Sequence, residues 1–378
     1  MFETDRLPSG WDARLNYMDE VWVPTRFSQD IFAAAGVPSR VIEEPIDTMF
    51  YRPSLPEADV GDGLNPSIPV PASERAIAAI EALTSVSPLH QLIPFIREGF
   101  TIFLFVGKWE ARKGITTLLR SFYSEFSGPS PSHKPKPKVL LLIVTSTYHS
   151  STDFERLVEE ALLGEDQDQD QGKGKGKGKG SSVPAYTDEH PDSNGPSRLV
   201  LTAIPQPQMP LLYSLPRLYL TIPSSGEGWG RPHVEAMSCS KPILATNWSG
   251  PTAYLSQSNG YPLPVAAELV PVPGWEGHKW AQVDETALKQ TMRRIVEREE
   301  EEEEDEKEEE VEESVRVGVG RGQRRALLAS DAAAKGALAR AEMESKYSLA
   351  VIGARVKARL AEIHASLGTD GTDGTEEL

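Results

Sequence analysis

The feature that most constrains this chain is a series of short apolar segments, each followed by a stretch of helical period. Residues 102–106 (Ile-Phe-Leu-Phe-Val) and 139–144 (Val-Leu-Leu-Leu-Ile-Val) carry no polar side chain. A strand of that kind needs cover on both faces, because an open face would leave every second side chain in water. Residues 115–126 have helical periodicity, and a further helix is expected from about Thr152 to Leu163. Strand, helix, strand, helix in that order implies a parallel sheet with helices on both faces. The alternation resumes with strands expected at Arg198–Leu201, Leu218–Ile222 and Pro242–Thr246. Between the last two, Pro232–Ser238 reads as a helix with proline in the first turn, where its missing N–H costs nothing.

The flanks are less regular. Asp19–Pro24 reads as a short buried strand, followed by Ser28 as N-cap of a helix over Gln29–Ala35 that Gly36 and Pro38 close. Val41-Ile42 is a brief strand, residues 52–71 form a loop rich in Pro, Gly and Asp, and Ser73 caps a helix reaching Leu83. Downstream, Asp284–Arg298 is amphipathic, and Arg324–Lys346 and Leu349–His364 are two further helices. The tail after Ser366 is Gly, Thr, Asp and Glu, expected to fray.

Two biased inserts account for much of the low apolar content of 39%. Residues 164–197 hold Glu-Asp-Gln repeats and then alternating Gly and Lys, a composition too poor in apolar surface to offset ordering entropy. The lysines there offer a charge ladder to anions, but a solvated linker is the reading their composition favours. The second insert, 297–313, holds 14 acidic and 2 basic residues, so that run alone carries −12 of the net −17. It reads as one solvated acidic run on a chain otherwise near −5. An acidic surface argues against nucleic acid as a partner. Cys239 is the only cysteine, which rules out an intramolecular disulfide and a Cys-based zinc site and suits a reducing compartment. The apolar run at 139–144 falls far short of the roughly 20 residues a membrane span needs, and no signal peptide is visible at residues 1–10.

Three loops carry candidate chemistry. In Ser225-Gly-Glu-Gly-Trp-Gly-Arg-Pro-His-Val-Glu235, two glutamates flank seven residues: Glu227 lies in a glycine-rich turn after a strand and Glu235 about one turn into the next helix. Ligands of open α/β sheets bind at the carboxyl ends of strands, and Gly226, Gly228 and Gly230 would let one approach the backbone closely. In Gly107-Lys108-Trp-Glu-Ala-Arg-Lys113-Gly114, two lysines surround a strand-to-helix turn. Free N–H groups and the helix dipole favour phosphate there, and two ammonium groups complete a diphosphate clamp. Thr246-Asn-Trp-Ser249-Gly250-Pro-Thr252 offers amides and hydroxyls at a third loop on the same edge, and equally reads as an ordinary turn.

With these residues in view, the chain resembles the family-4 (group 1) retaining glycosyltransferases. The Glu227/Glu235 pair is similar to that family's glutamate-seven-glutamate motif, and Gly107-Lys108 with Lys113-Gly114 to its donor-phosphate motif. The usual first basic residue is arginine; Lys108 lacks its bidentate fork. Trp22-Val-Pro-Thr-Arg-Phe-Ser resembles the last βα unit of the family's N-terminal domain, and Glu44-Pro-Ile-Asp the entry to its interdomain link. Phe105–Gly114, Ala245–Thr252 and Gly277-His-Lys-Trp280 resemble a poorly characterised eukaryotic branch.

The resemblance implies an α/β fold of the GT-B type: one near-complete Rossmann-like C-terminal domain plus a remnant of the N-terminal one. The implied division is 1–52 (acceptor-domain remnant and link), 53–98 (variable linker), 99–286 (nucleotide-sugar-binding domain, with the insert at 164–197), 287–323 (helix with acidic run), 324–365 (C-terminal helices) and 366–378 (tail). Only about 20 residues precede the match, so truncation of the acceptor domain is expected. The implied partners are a nucleotide-diphosphate sugar, as substrate and not cofactor, and an unknown glycan, lipid or protein acceptor. Lys108 and Lys113 would neutralise the diphosphate, Glu235 would hold the ribose and Glu227 would face the sugar. Gly107, Gly228, Trp229, Gly230, Ser249, Gly250 and Thr252 would complete the donor site, with no metal and a cytoplasmic location. The alternatives are a non-catalytic nucleotide-sugar-binding remnant and an interaction protein working through the acidic run. A sugar phosphorylase of the same architecture would need a lysine for pyridoxal phosphate, and none is found.

Overall fold

The computed structural model describes residues 3–55, 70–128, 136–146, 153–163, 196–202, 204–315 and 331–368. Helix α1 (Trp11–Leu15) buries none of its side chains. A small βαβ unit follows: strand β1 (Trp22–Val23), helix α2 (Arg26–Ala34) and strand β2 (Arg40–Val41), with the two strands parallel. The strand expected to be buried over 19–24 is only two residues long and half covered, with Val23 inside and Trp22 exposed. Thr25, not Ser28, caps α2: its Oγ1 accepts from the Ser28 amide at 3.0 Å. Thr25 is extended and three residues ahead of that amide, the geometry a capping hydroxyl needs. Leu7, Val23, Ile31, Phe32 and Val37 form a core private to this unit. After the link come α3 (Ala72–Glu81) and α4 (Ile93–Arg97). Pro71 occupies the N-cap position of α3 and no side chain caps it, so Ser73 lies inside the first turn.

The main sheet has six strands. In chain order these are β3 (Thr101–Lys108), β4 (Val139–Ser146), β5 (Ser197–Thr202), β6 (Leu218–Ile222), β7 (Ile243–Thr246) and β8 (Tyr261–Leu263). Helices α5 (Ile115–Phe126), α6 (Phe154–Leu163), α7 (Met209–Ser214) and α8 (Arg231–Ser238) connect them as far as β7. The spatial order is β5-β4-β3-β6-β7-β8, and every neighbouring pair is parallel. Residues 101–105 of β3 and 139–145 of β4 are buried without a break, as a sheet covered on both faces requires. The chain steps from β3 outward to β5, returns across to β6 and then steps the other way. The direction therefore reverses between β3 and β6, the point beyond whose strand ends sheets of this kind place their ligands.

A small antiparallel pair, β9 (Val270–Pro271) and β10 (Lys279–Trp280), leads to the long helix α9 (Glu285–Val315). α9 packs on α5, where Arg293 donates to Glu125 at 2.7 Å. Its acidic run is not wholly a solvated face: Glu299 accepts from Arg217 Nε at 2.9 Å and from the Tyr219 hydroxyl. Helix α10 (Asp331–Glu342) packs on α8, passes into a π turn at Met343–Tyr347 and is followed by α11 (Leu349–Gly368). The single helix expected over 324–346 is thus divided, and its first residues, 324–330, lie outside the described residues. So do 56–69 of the expected loop, 164–195 of the expected insert and 369–378 of the expected tail. α11 returns to the amino-terminal unit, where Arg359 clasps Glu20 at 2.6–3.0 Å and Arg355 meets Glu43 at 2.7 Å. Among the described residues no helix is long and apolar enough to cross a membrane.

Candidate functional site

The candidate site is built by two loops that are remote in sequence. After β3 the chain makes a tight turn at Ala111–Lys113 and enters α5 through Gly114. Gly114 has φ +74°, and a Cβ there would lie 2.1 Å from the Pro223 carbonyl oxygen just beyond β6. Only glycine combines that dihedral with that approach. Two bonds then tie the loops together: the Ser225 amide donates to the Arg112 carbonyl at 2.8 Å, and Arg112 Nη1 donates to the Gly226 carbonyl at 2.7 Å. This brings Lys113 Nζ to both oxygens of Glu227, at 2.7 and 2.8 Å. Glu227 is only 5% exposed. A carboxylate that deep needs a paired cation and hydrogen bonds to stay charged. Lys113 provides both, and Arg112 Nη1 stands 3.7 Å from the second oxygen.

Arg112 and Glu3 belong to this cluster although the sequence did not single them out. Arg112 also pairs with Glu110 and Glu3, each at 3.1 Å. Burial works against the Arg112 cation, yet Glu227, Glu3 and Glu110 outweigh it and raise its pKa. Burial raises the Glu3 pKa; Arg112 opposes that rise and Glu227 reinforces it. Glu3 is seated by neighbours on the β10 segment: Thr4 shares a hydrogen bond with His278, and Asp5 exchanges two with the Lys279 backbone. Arg112 sits beside Lys113 in the motif and was legible in principle; Glu3 has no local signal at all.

Lys108 is exposed at the last position of β3, opposite Ser146 of β4. Gly107 lies beside the Lys113 stem, 3.8 Å from where a Cβ would stand. Glu235, in α8, keeps 13% of its side chain exposed, receives the Tyr213 hydroxyl at 3.2 Å and faces Arg231 at 3.9 Å. Burial raises its pKa, while Tyr51, Tyr213 and Arg231 pull the other way.

Several expected donor contacts lie beneath the surface instead. Trp229 is 2% exposed and packs edge-on against Tyr254 and Tyr347. Ser249 is fully buried, and its hydroxyl donates to the Glu227 carbonyl at 2.6 Å. The Gly250 amide donates to the same carbonyl at 2.8 Å, and a Cβ on Gly250 would stand 2.8 Å from the Gly228 oxygen. These residues fasten the Glu227 loop from below. The space beside Gly226 is filled by the Glu3 carbonyl, and that beside Gly230 by His233 and Tyr254, so these two glycines admit protein rather than a ligand. Thr252 is exposed and lines a cleft of about 310 Å³ with Arg26, Phe27 and Glu43. His233, fully buried beneath the loop, has neither ring nitrogen hydrogen-bonded among the described residues, and burial depresses its pKa to about 4.

No family model matches the chain, and no curated protein matches it. Among solved structures it is similar to sucrose-phosphate synthase from Thermosynechococcus elongatus, with a TM-score of 0.54, 16% identity and coverage of 94% of this chain and 61% of that one. It is also similar to HepE of Anabaena in complex with UDP and glucose, with a TM-score of 0.52, 13% identity and coverage of 93% and 67%. A glycosyltransferase from Rickettsia africae gives 0.52, 14%, 95% and 68%. The chain spans 61–68% of the length of these three proteins. They are glycosyltransferases of the GT-B type, and the α/β fold of this chain is of that type.

Proposed function

We propose that this chain carries the donor-binding part of a retaining, family-4-like glycosyltransferase. It takes a nucleotide-diphosphate sugar at the loops beyond β3 and β6 and passes the sugar to a glycan, lipid or protein acceptor. The observation that carries the reading is the Lys113–Glu227 pair at the strand-order reversal, where sheets of this kind place their ligands. Transfer breaks the bond between the anomeric carbon and the diphosphate, and the electron pair leaves on phosphate oxygen. Lys113 and Lys108 meet that charge as it develops, the kind of preorganised stabilisation that contributes most to such steps. Glu227 faces the sugar and its developing positive charge, and Glu235 accepts from the ribose. Ser249 and Gly250 support Glu227 through its carbonyl. The complex of HepE with UDP makes uridine diphosphate the first nucleotide to try.

The test is a thermal melt of the full chain with uridine, guanosine and adenosine diphosphates and their sugars. Binding to the folded state alone stabilises by about 2.7 kcal/mol at a hundredfold excess over Kd. One nucleotide should raise the melting temperature, and Glu235→Gln should abolish most of the rise. A folded chain that responds to none of them sinks the reading; a response without transfer to any acceptor leaves donor binding and removes catalysis.

A further inference from the structure

Glu235 is held from behind by two phenols. Tyr213, fully buried in α7, donates to Oε2 at 3.2 Å. Tyr51, buried in the link after β2, faces the same carboxylate closely enough to pull its pKa down against burial. Gln206 Nε2 donates to the Tyr51 oxygen at 2.5 Å. A phenol has one proton, and with Gln206 supplying the bond that Tyr51 accepts, that proton is left to donate toward Glu235. Tyr51 is itself fixed. Its carbonyl accepts from Ser238 Oγ at 2.6 Å, one helical turn beyond Glu235, and from Arg340 at 3.3 Å. The two phenol rings stand 6.3 Å apart.

A carboxylate has about four acceptor positions. One is taken by Tyr213 on the buried side, where Tyr51 also stands. Arg231 Nε, 3.9 Å from Oε1, is beyond hydrogen-bond reach. The remaining positions belong to the part of the side chain that stays open. A carboxylate free to turn presents those lone pairs in many directions. One held by the Tyr213 hydroxyl and flanked by Tyr51 presents them in one, which is what recognition of two adjacent hydroxyls demands.

We infer that Tyr51 and Tyr213 are positioning residues that orient Glu235 toward the vicinal hydroxyls of a ribose, and so set the preference for ribonucleotides over deoxyribonucleotides. This rests on the ribose role proposed above for Glu235. It makes the link between the amino-terminal unit and the main sheet part of the sugar-recognition apparatus.

The experiment is calorimetric titration of the full chain with UDP and with 2′,3′-dideoxy-UDP, for the wild type, Tyr51→Phe, Tyr213→Phe and Gln206→Leu. The wild type should prefer UDP at least tenfold. Each Tyr→Phe change should weaken UDP about three- to tenfold and dideoxy-UDP less than twofold, so that the ratio contracts. A merely structural tyrosine lowers the melting temperature and leaves the ratio alone, and that result overturns the inference. Gln206 is exposed, so Gln206→Leu keeps the test alive if a tyrosine variant does not fold; it should contract the ratio about twofold, and an unchanged ratio there counts against the inference. A wild type that binds both nucleotides equally overturns the ribose role of Glu235 itself, and binding of neither overturns the donor site.

Discussion

Lys113 has two obligations: it neutralises a carboxylate that is almost fully buried and, in the proposed reaction, a diphosphate. Lys113→Met strands Glu227 beside Arg112 alone, at 3.7 Å. Leaving a buried charge without its partner costs roughly 3–5 kcal/mol. Urea unfolding should show most of that loss, and adding Glu227→Gln to the Lys113→Met variant should restore part of it; strictly additive effects would refute a coupled pair. His233 gives a second residue-scale expectation. Its pKa falls from 6.5 to about 4 on folding, so between those values the unfolded chain binds more protons and stability declines as the pH drops. The slope from this ring is on the order of 1.4 kcal/mol per pH unit, and a His233→Leu variant should lose it; parallel melting-temperature curves for the two proteins would refute this. Glu227, Glu235 and Lys113 were legible because glycines and a strand-to-helix junction frame them in the sequence. Tyr213 was not, since in Met-Pro-Leu-Leu-Tyr-Ser every neighbour is buried and the tyrosine reads as core. Trp229 and Ser249 were read as ligand contacts because nothing in the sequence shows that their loops fold back on themselves.

The elements differ in how plainly they announce themselves. β3 and β4 could be drawn to within two residues, because a run of apolar side chains covered on both faces has no competing interpretation. α7 escaped notice for the opposite reason: six residues buried all round have no polar face and so no period. The two-residue strands β9 and β10 are fixed by their pairing with each other and leave no pattern. At this scale the junction into α5 should be the least tolerant point of the fold. Gly114→Ala drives a methyl into the Pro223 carbonyl, whereas Gly36→Ala, at the same φ of +74°, meets nothing within 4 Å. The Gly36 variant should lose only the left-handed strain of about 1–2 kcal/mol. The Gly114 variant should lose more and should also bind nucleotide poorly, since the β3 and β6 loops must separate. Equal melting temperatures for the two variants would show that the close approach is unimportant.

At the scale of the whole molecule, helix α11 helps to fasten the amino-terminal unit to the rest. Arg359 holds the Glu20 pKa down to about 2 from 4.5, so the stability this contact supplies is complete above the unfolded value and drains away as the pH falls from 4.5 toward 2. Arg359→Ala should therefore speed hydrogen exchange at the Arg40 and Ile42 amides, which bond to β1 and its neighbour Val21, and leave the amides of β3 and β4 untouched. The difference between variant and wild type should shrink at pH 3 and in high salt. A uniform change across both regions would mean that the unit is not separately fastened. The pairing of β3 with β6 has a further consequence, which concerns how the protein is made. β6 is synthesised long after β3, and the Lys113–Glu227 contact spans 114 positions. At about 5–20 residues per second, the cations of the first loop wait roughly 6–23 s for their carboxylate. Through that interval β3, whose residues 102–106 carry no polar side chain, has one edge unpaired and open to any passing strand. The nascent chain is thus exposed to aggregation until the Lys113–Glu227 contact closes, and a chaperone that shields β3 would act in that interval.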